Sequence, residues 1–319
     1  MRGTDVELTI GVDLGGTKIA AGVVDGEGRV LEQVRVQTPA STAQAVEAGI
    51  CDAVAELTAR YRVSAVGLAV AGFVNEGRST LRFAPNLPMV DRPLRTVVSR
   101  RIGLPVVVEN DANAAAWGEH RFGGGRGAED VVMITVGTGL GGGIVLGGRL
   151  FRGAFGAAGE LGHVRMVPGG LLCGCGNHGC WEQYASGRAL VREARALART
   201  SPEITARLLE LAGGDAEAIG GRMVTRAAAE GDIGARGLLA GLGRWLGEGI
   251  ADLANVLDPA LVVIGGGVSE AGELLLGPAR EAFEAKLSAS AYRPHLAIVA
   301  AELGNGAGLV GAADLARHP

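Results

Sequence analysis

Lysine is scarce in this sequence: only Lys18 and Lys286 stand among its 30 basic residues, and no basic run occurs. The formal net charge is -4 at pH 7. A nucleic-acid interface needs clustered basic side chains. The composition therefore predicts that no nucleic acid is a partner of this protein.

Membrane-directing segments are also missing. No apolar signal-peptide core precedes the first acidic residue, Asp5. The longest uncharged run, residues 131–148, has the length of a membrane span, but seven of its residues are glycine and its pattern indicates two short strands around a turn. We therefore expect a cytoplasmic protein with no membrane partner.

Two common nucleotide-binding motifs are absent. The sequence contains no GxxxxGK[ST] segment between a strand and a helix, and no GxGxxG segment that opens a helix after a strand. Any nucleotide site in this chain must therefore be of another kind.

Glycine, by contrast, is abundant, with 54 residues that cluster between apolar runs. Such clusters are typical of tight turns at which the backbone approaches another group closely. Residues 10–28 and 131–148 repeat one design: strand, glycine-threonine turn, strand, glycine turn. This internal repeat predicts two similar α/β domains that face one another across a ligand-binding cleft.

Apolar patterns and turn signals predict the remaining elements. Strands are expected at 6–12, 19–24, 29–36, 66–70, 106–108, 131–136, 144–146, 261–264 and 296–299. Helices are expected at 41–60, 112–122, across most of 187–257, from 268 to 288 and at 308–317.

The two repeated turns predict a phosphate site. They comprise Gly15, Gly16 and Thr17 in the first copy and Gly137, Thr138 and Gly139 in the second. Backbone N–H groups of such turns can point inward and bind an anion, and the threonine hydroxyls add donors. One turn alone is usually an ordinary hairpin, but the matching pair favours ATP clamped by two hairpins.

Three other features accompany the predicted phosphate site. Asp13, at the mouth of the first turn, is placed to face Mg²⁺ directly or through water. Lys18 either reaches a phosphate or is a solvated strand residue. Gly265 and Gly266, between a predicted strand and a helix, are expected to approach the adenosine, although a packing turn is the alternative.

Polar residues follow the predicted strand 106–108 directly. Asn110 offers both a donor and an acceptor to hydroxyl groups. Asp111 can accept the proton of an attacking hydroxyl in phosphoryl transfer, or it can cap the helix that begins near Ala112. The segment alone leaves both interpretations of Asp111 open.

Three of the four cysteines lie close together. With one histidine they form a set of four candidate ligands within 18 residues: His163, Cys173, Cys175 and Cys180. This set matches a closed, structural Zn²⁺ site, and a histidine that binds zinc through one ring nitrogen keeps an N–H on the other. Glu160 and Glu182 flank the cluster and can accept protons from sugar hydroxyls, so we interpret the zinc as a brace of a sugar pocket. Inert cysteines are the alternative; a DNA-binding zinc finger is disfavoured because the loop is short and not basic.

These motifs together resemble the ROK family of repressors and sugar kinases, within the actin-like ATPase superfamily with its ribonuclease H-like fold. The resemblance spans essentially the whole chain, and its cysteine signature is specific. The matching segments are Asp13-Leu14-Gly15-Gly16-Thr17, Glu109-Asn110-Asp111, Val136-Gly137-Thr138-Gly139, Glu160-x-Gly-His163, Cys173-x-Cys-Gly-x-x-Gly-Cys180-x-Glu182 and Gly265-Gly266-Gly267.

The resemblance implies an ATP-dependent hexose 6-kinase with glucose as the leading substrate, Mg²⁺ in catalysis and structural Zn²⁺. Asp111 is then the base on the sugar 6-hydroxyl. The other residues implied to hold or line the sugar are Gly72, Asn86, Asn110, Glu160, His163 and Glu182. Two domains are implied, a small one at 1–112 joined by a last helix at 305–319, and a large one at 113–304 with the zinc motif. A homodimer or homotetramer is expected.

Other functions stay open at this point. N-acetylmannosamine kinases and fructokinases carry much the same residues, and a polyphosphate donor is conceivable but disfavoured by the glycines on the adenosine side. A sugar-sensing regulator is disfavoured because Asp111 and both turns are intact. Repressors of the family carry an additional helix-turn-helix region, for which a first strand near Val6 leaves no room.

Overall fold

The computed structural model describes residues 7–39 and 41–318. Its strands are β1 (Thr9–Leu14), β2 (Lys18–Val24), β3 (Val30–Gln37), β4 (Val66–Val70), β5 (Phe73–Val74), β6 (Leu81–Phe83), β7 (Val90–Arg92), β8 (Val106–Asn110), β9 (Val131–Val136), β10 (Leu140–Leu146), β11 (Arg149–Leu150), β12 (Leu261–Gly265) and β13 (Ala297–Ala300). Its helices are α1 (Ala43–Thr58), α2 (Leu94–Ile102), α3 (Asp111–Phe122), α4 (Glu182–Ala185), α5 (Gly187–Thr200), α6 (Ala206–Leu211), α7 (Gly221–Ala229), α8 (Ile233–Leu257), α9 (Glu273–Lys286) and α10 (Ala307–Arg317).

The two five-stranded sheets have the same strand order. The first runs β3-β2-β1-β4-β8 and the second β11-β10-β9-β12-β13. In the first sheet β1 is antiparallel to β2 but parallel to β4, which is parallel to β8. In the second, β10 and β11 are antiparallel and β12 and β13 parallel. The repeat predicted from sequence is thus confirmed in the order of the strands.

Burial explains why the parallel strands β4 and β8 are nearly continuous apolar runs. All five residues of β4 are buried, as are the first four of β8. Parallel strands covered on both faces are typically rich in valine, isoleucine and leucine. Their polar residues are therefore confined to the strand ends, where Asn110 closes β8.

The described chain divides into two compact units. One comprises the residues up to Met133, Gly143–Gly159 and those from Glu302 onward; the other comprises Ile134–Gly142 and Glu160–Ala301. The boundaries thus fall within β9 and β10, between Gly159 and Glu160, and directly before the short turn that leads into α10. The domain limits expected from sequence stay a prediction.

In the first unit, α10 packs against β1, β4 and α3 with backbone in contact with backbone. A Cβ atom at Gly67 would lie 1.8 Å from the carbonyl oxygen of Ala312, and one at Gly311 would lie 1.8 Å from that of Ala114. A larger residue at either position would push α10 away from the sheet or from α3.

Several predicted boundaries were wrong. Strand β10 begins at Leu140, so the glycines at 141–143 lie in a strand rather than in the turn. The reason is packing: a Cβ atom at Gly143 would lie 2.5 Å from Cβ of Ala116 in α3. Helix α1 begins at Ala43 rather than at residue 41, because Thr42 caps it by accepting a hydrogen bond from the Ala45 N–H at 3.1 Å. Val6 lies outside the described residues.

A three-stranded sheet, β5-β6-β7, and the helix α2 were not predicted. Strands of two or three residues are too short to show a period of two. Within the described ranges, no helix is long and apolar enough to cross a membrane.

Candidate active site

Three neighbouring parallel strands of the first unit bring four predicted site residues to one edge of the sheet. Asp13 on β1 is in register with Ala69 on β4, which is in register with Glu109 on β8. Gly72 follows β4, and Asn110 and Asp111 mark the passage from β8 into α3. The Asn110 amide donates to the carbonyl oxygen of Gly72 at 3.1 Å, so these two segments are joined directly.

Asn110, not Asp111, caps α3. Its side-chain oxygen accepts from the Asn113 N–H at 3.0 Å, with extended backbone angles at φ -62° and ψ 144°. Asp111 is the first residue of the helix, and its carboxylate accepts the adjacent Ala112 N–H at 2.9 Å. The capping interpretation of Asp111 is therefore wrong, and the carboxylate is not needed to begin the helix.

Burial perturbs both aspartates, and the charge of Asp111 also perturbs Asp13. Burial raises the pKa of Asp111 above its usual value, against the opposing effect of the Ala112 N–H. The pKa of Asp13 rises to about 6, first because of burial and second because of the nearby Asp111 charge, while Lys18 opposes the rise. Acids with raised pKa values in close proximity are typical of catalytic sites. Lys18 itself is exposed at the start of β2.

Asp13→Asn is expected to raise the melting temperature in the absence of metal and nucleotide, and more so at pH 8 than at pH 5. Because the pKa of Asp13 rises from 3.8 to about 6 on folding, its ionisation opposes folding. This cost is absent below pH 3.8, grows as the pH rises, and is complete above about pH 6, where it reaches about 3 kcal/mol.

Thermal unfolding from pH 4 to pH 8 tests this expectation about Asp13. The melting curves of the variant and the parent protein should converge near pH 4. A difference in melting temperature that does not change with pH would show that folding does not raise the pKa of Asp13.

The first glycine turn forms hydrogen bonds with Thr38 and contacts Asn86. The Thr38 hydroxyl donates to the Gly15 carbonyl oxygen at 2.8 Å, and the Thr38 N–H donates to the Thr17 carbonyl oxygen at 3.1 Å. A Cβ atom at Gly16 would lie 2.8 Å from Cβ of Asn86. Asn86, predicted to line the sugar pocket, therefore packs against the predicted phosphate turn.

In the second unit, the other glycine turn lies against the beginning of α5. The N–H groups of Gly187 and Arg188 donate to the carbonyl oxygens of Gly137 and Thr138, at 2.8 and 3.3 Å. These bonds fix the carbonyl groups of the turn. Gly139 completes the turn, because its carbonyl oxygen accepts the Gly137 N–H at 3.0 Å.

Gly266 packs against the strand that leads into this turn. It has a positive φ of 87°, and a Cβ atom there would lie 2.6 Å from the carbonyl oxygen of Val136. Only glycine accommodates both constraints. The predicted adenosine-side residues Gly265 and Gly266 and the predicted phosphate turn are thus neighbours.

The four predicted metal ligands converge in the same unit. The ligand atoms of His163, Cys173, Cys175 and Cys180 all lie within 4.8 Å of one another. Nδ1 of His163 is 3.7 Å from Sγ of Cys173, and the Sγ atoms of Cys175 and Cys180 are 3.6 Å apart. Typical zinc bond lengths place the corners of a tetrahedron about 3.5–3.8 Å apart, so the residues fit a tetrahedral metal.

The chemistry of the donors agrees with their geometry. The Asn177 backbone N–H lowers the pKa of the Cys175 thiol to about 7, so a thiolate is accessible near neutral pH. Because Nδ1 of His163 faces Cys173, Nε2 is the nitrogen that remains on the other side of the ring. This cluster can hold a metal ion.

Glu182 connects the cysteine cluster with the second glycine turn. Its carboxylate is 9% exposed and accepts from the Leu140 N–H at 3.2 Å and from the Cys173 thiol at 3.6 Å. Arg188 forms an ion pair with it at 3.3 Å. Glu160 is exposed at the beginning of the short helical turn Leu161–His163.

Two charged residues, one in each unit, were not predicted to have a role. Glu109 belongs to a quoted motif, but its partners are distant in sequence. Arg188 lies in the first turn of α5. The only feature of the sequence that could have indicated a role for it is its position at the start of a predicted helix.

Three similarities place the chain among known proteins. The sequence model of the ROK family matches residues 9–318. A glucokinase of Streptomyces coelicolor is 54% identical over 312 residues, which cover 98% of each chain. An N-acetylmannosamine kinase of Escherichia fergusonii is 37% identical over 313 residues, covering 97% of this chain and 98% of the other.

Among solved structures, a ROK family glucokinase from Streptomyces griseus in complex with glucose and AMPPNP matches with a TM-score of 0.89 and 56% identity. The match covers 98% of this chain and 100% of the other. The fold is therefore the actin-like ATPase fold of the ROK sugar kinases. By its motifs, its duplicated sheets and these similarities, the chain belongs to the ROK family.

Proposed function

We propose that this chain is an ATP-dependent glucokinase, which transfers the γ-phosphoryl group of ATP to the 6-hydroxyl of glucose. The observation that carries the proposal is the carboxylate of Asp111, which stands at the start of α3 while Asn110 provides the cap. The high identity to glucokinases of two Streptomyces species supports glucose as the acceptor.

Asp111 acts as the general base in this proposal. It takes the proton of the 6-hydroxyl while the sugar oxygen forms a bond to the γ-phosphorus and the bond from that phosphorus to the bridging oxygen breaks, which releases ADP. Its raised pKa makes the Asp111 carboxylate a stronger base than that of an exposed aspartate. General-base assistance of this kind is typically worth about 10²–10⁴ in rate.

The nucleotide residues act by position and charge. Mg²⁺, when bound with ATP, neutralises phosphate charge, and Asp13 is the residue proposed to hold it. The residues proposed to contact ATP are Gly15, Gly16, Thr17, Lys18, Gly137, Thr138, Gly139, Gly265 and Gly266. Phosphoryl transfer needs little more from a protein than such positioning and electrostatic stabilisation.

The remaining predicted site residues are proposed to bind the sugar. Zn²⁺ on His163, Cys173, Cys175 and Cys180 would fix the imidazole, so that its free Nε2–H donates to a sugar hydroxyl. The other residues proposed to contact the sugar are Gly72, Asn86, Asn110, Glu160 and Glu182. A cytoplasmic location and a homodimer or homotetramer stay predictions.

N-acetylmannosamine is the second candidate substrate, because a kinase for this sugar is 37% identical over nearly the whole chain. We expect kcat/KM with Mg-ATP to be highest for glucose in a panel with N-acetylmannosamine, fructose and mannose, measured by ADP release. A higher kcat/KM for N-acetylmannosamine would identify that sugar, rather than glucose, as the preferred substrate. Turnover of no sugar in the panel would refute the kinase reaction itself.

A further inference from the structure

Glu109 is a buried carboxylate directly before the two residues that begin the proposed active site. It lies on β8 with 1% of its surface exposed. A buried anion is costly unless charged and hydrogen-bonding partners compensate it. Its partners show which parts of the molecule it organises.

One oxygen of the Glu109 carboxylate faces the beginning of α3. Oε1 accepts from the Asn110 N–H at 2.9 Å and from the side-chain amide of Asn113 at 3.2 Å. The first bond orients the peptide group between Glu109 and Asn110. That peptide precedes the capping residue, so its orientation sets the direction in which α3 continues from β8 and the position of Asp111, its first residue.

The other oxygen faces two arginines. Oε2 accepts from Nε of Arg78 at 3.0 Å. Nε of Arg152 lies 2.8 Å from the same oxygen, as an ion pair without the alignment of a hydrogen bond. One carboxylate therefore balances two positive charges that are themselves largely buried.

The arginines extend this network into two further segments. The Arg152 guanidinium donates to the carbonyl oxygens of Asn75 and Glu76, at 2.9 and 2.7 Å. The Arg78 carbonyl oxygen accepts the Val108 N–H at 3.1 Å. The turn between β5 and β6 and the segment after β11 are thus both fastened to the strand that carries Asn110.

We propose that Glu109 is a positioning residue for phosphoryl transfer, which holds Asp111 and the two arginine-bearing segments in their catalytic arrangement. The inference rests on the proposed function. A displacement of about 1 Å in a reacting group can lower the rate about 100-fold. Loss of the Glu109 charge should therefore reduce turnover, although the side chain touches neither substrate.

Glu109→Gln tests the proposal, with Glu119→Gln as the matched control. Glutamine can keep the acceptor toward Asn110 but places an amide or a neutral oxygen opposite two guanidinium groups. Glu119 is as deeply buried, with 0% exposed, and accepts the N–H groups of Gly124, Glu302 and Leu303 near the other end of α3. Both variants remove one buried charge from the same unit.

We expect Glu109→Gln to lower kcat at least tenfold, with KM for ATP within about threefold of the parent value. Glu119→Gln should lower the melting temperature but leave kcat of the folded protein near the parent value. Equal kcat in the two variants would reduce Glu109 to a structural role and overturn the inference.

Arg152→Met provides a second test if Glu109→Gln does not fold. It leaves Glu109 paired with Arg78 and should lower kcat less, about threefold to tenfold, with a higher sugar KM. Unchanged kcat and KM in this variant would also overturn the inference. If the parent protein turns over no hexose, the proposed function fails and the inference fails with it. If the parent protein is active and the variants have the same kcat and KM, only the role of Glu109 is refuted.

Discussion

Asp111→Asn is expected to lower kcat for glucose by about 10²–10⁴ without unfolding the protein. Asparagine has the shape of aspartate and keeps an oxygen that can accept the Ala112 N–H, which Asp111 accepts at 2.9 Å. Asn110 still caps α3. Only the basic electron pair is lost, so KM for glucose should change little.

A second readout makes this test independent of turnover. The Asp111 charge contributes to the raised pKa of Asp13, so the pKa of Asp13 should fall from about 6 in the variant, which NMR titration of the carboxyl carbons can follow. Asp314→Asn is the matched control, because Asp314 is buried in the same unit and pairs with Trp117, Arg121 and Arg317. Full turnover in Asp111→Asn would leave the mechanism without its base.

Removal of one cysteine of the metal cluster should strongly affect zinc affinity, stability and sugar binding. Cys180→Ala is expected to weaken zinc binding by more than about 100-fold, since even the loss of an outer partner of a metal ligand costs 10–100-fold. The melting temperature should fall, because metal binding contributes to folding. KM for glucose should rise about threefold to tenfold, the worth of about one hydrogen bond, because His163 is no longer oriented.

Cys51→Ala separates the metal effect from the loss of a buried thiol. Cys51 is 4% exposed in the core of the first unit and Cys180 is fully buried, so the two substitutions remove comparable side chains. Cys51→Ala should retain about one zinc per chain by elemental analysis. An unchanged KM for glucose in zinc-free Cys180→Ala would contradict the idea that the metal braces the sugar pocket.

The metal cluster was predictable because its ligands are close in sequence. His163 and the three cysteines fall within 18 residues, and their spacing alone indicates a tetrahedral site. The duplicated sheets were predictable for a related reason, since apolar strands that alternate with glycine turns recur in the same order. Local patterns of this kind can be recognised in the sequence without knowledge of contacts between distant residues.

The roles of Asp111 and Glu109 could not be read in the same way. Which of two adjacent polar residues caps a helix depends on backbone angles, and the extended conformation of Asn110 is not encoded in a motif. Glu109 bonds Arg78 from 31 residues away and also pairs with Arg152, so only the folded chain reveals the network. The strands β5–β7 were missed because each spans at most three residues.

Parallel measurement of ADP and glucose 6-phosphate in one reaction tests the central claim most directly. Purified protein with Mg-ATP and glucose should form the two products in equal amounts, and neither product should form without glucose. ADP without glucose 6-phosphate, or no turnover with glucose, would contradict the assignment of this chain as a glucokinase.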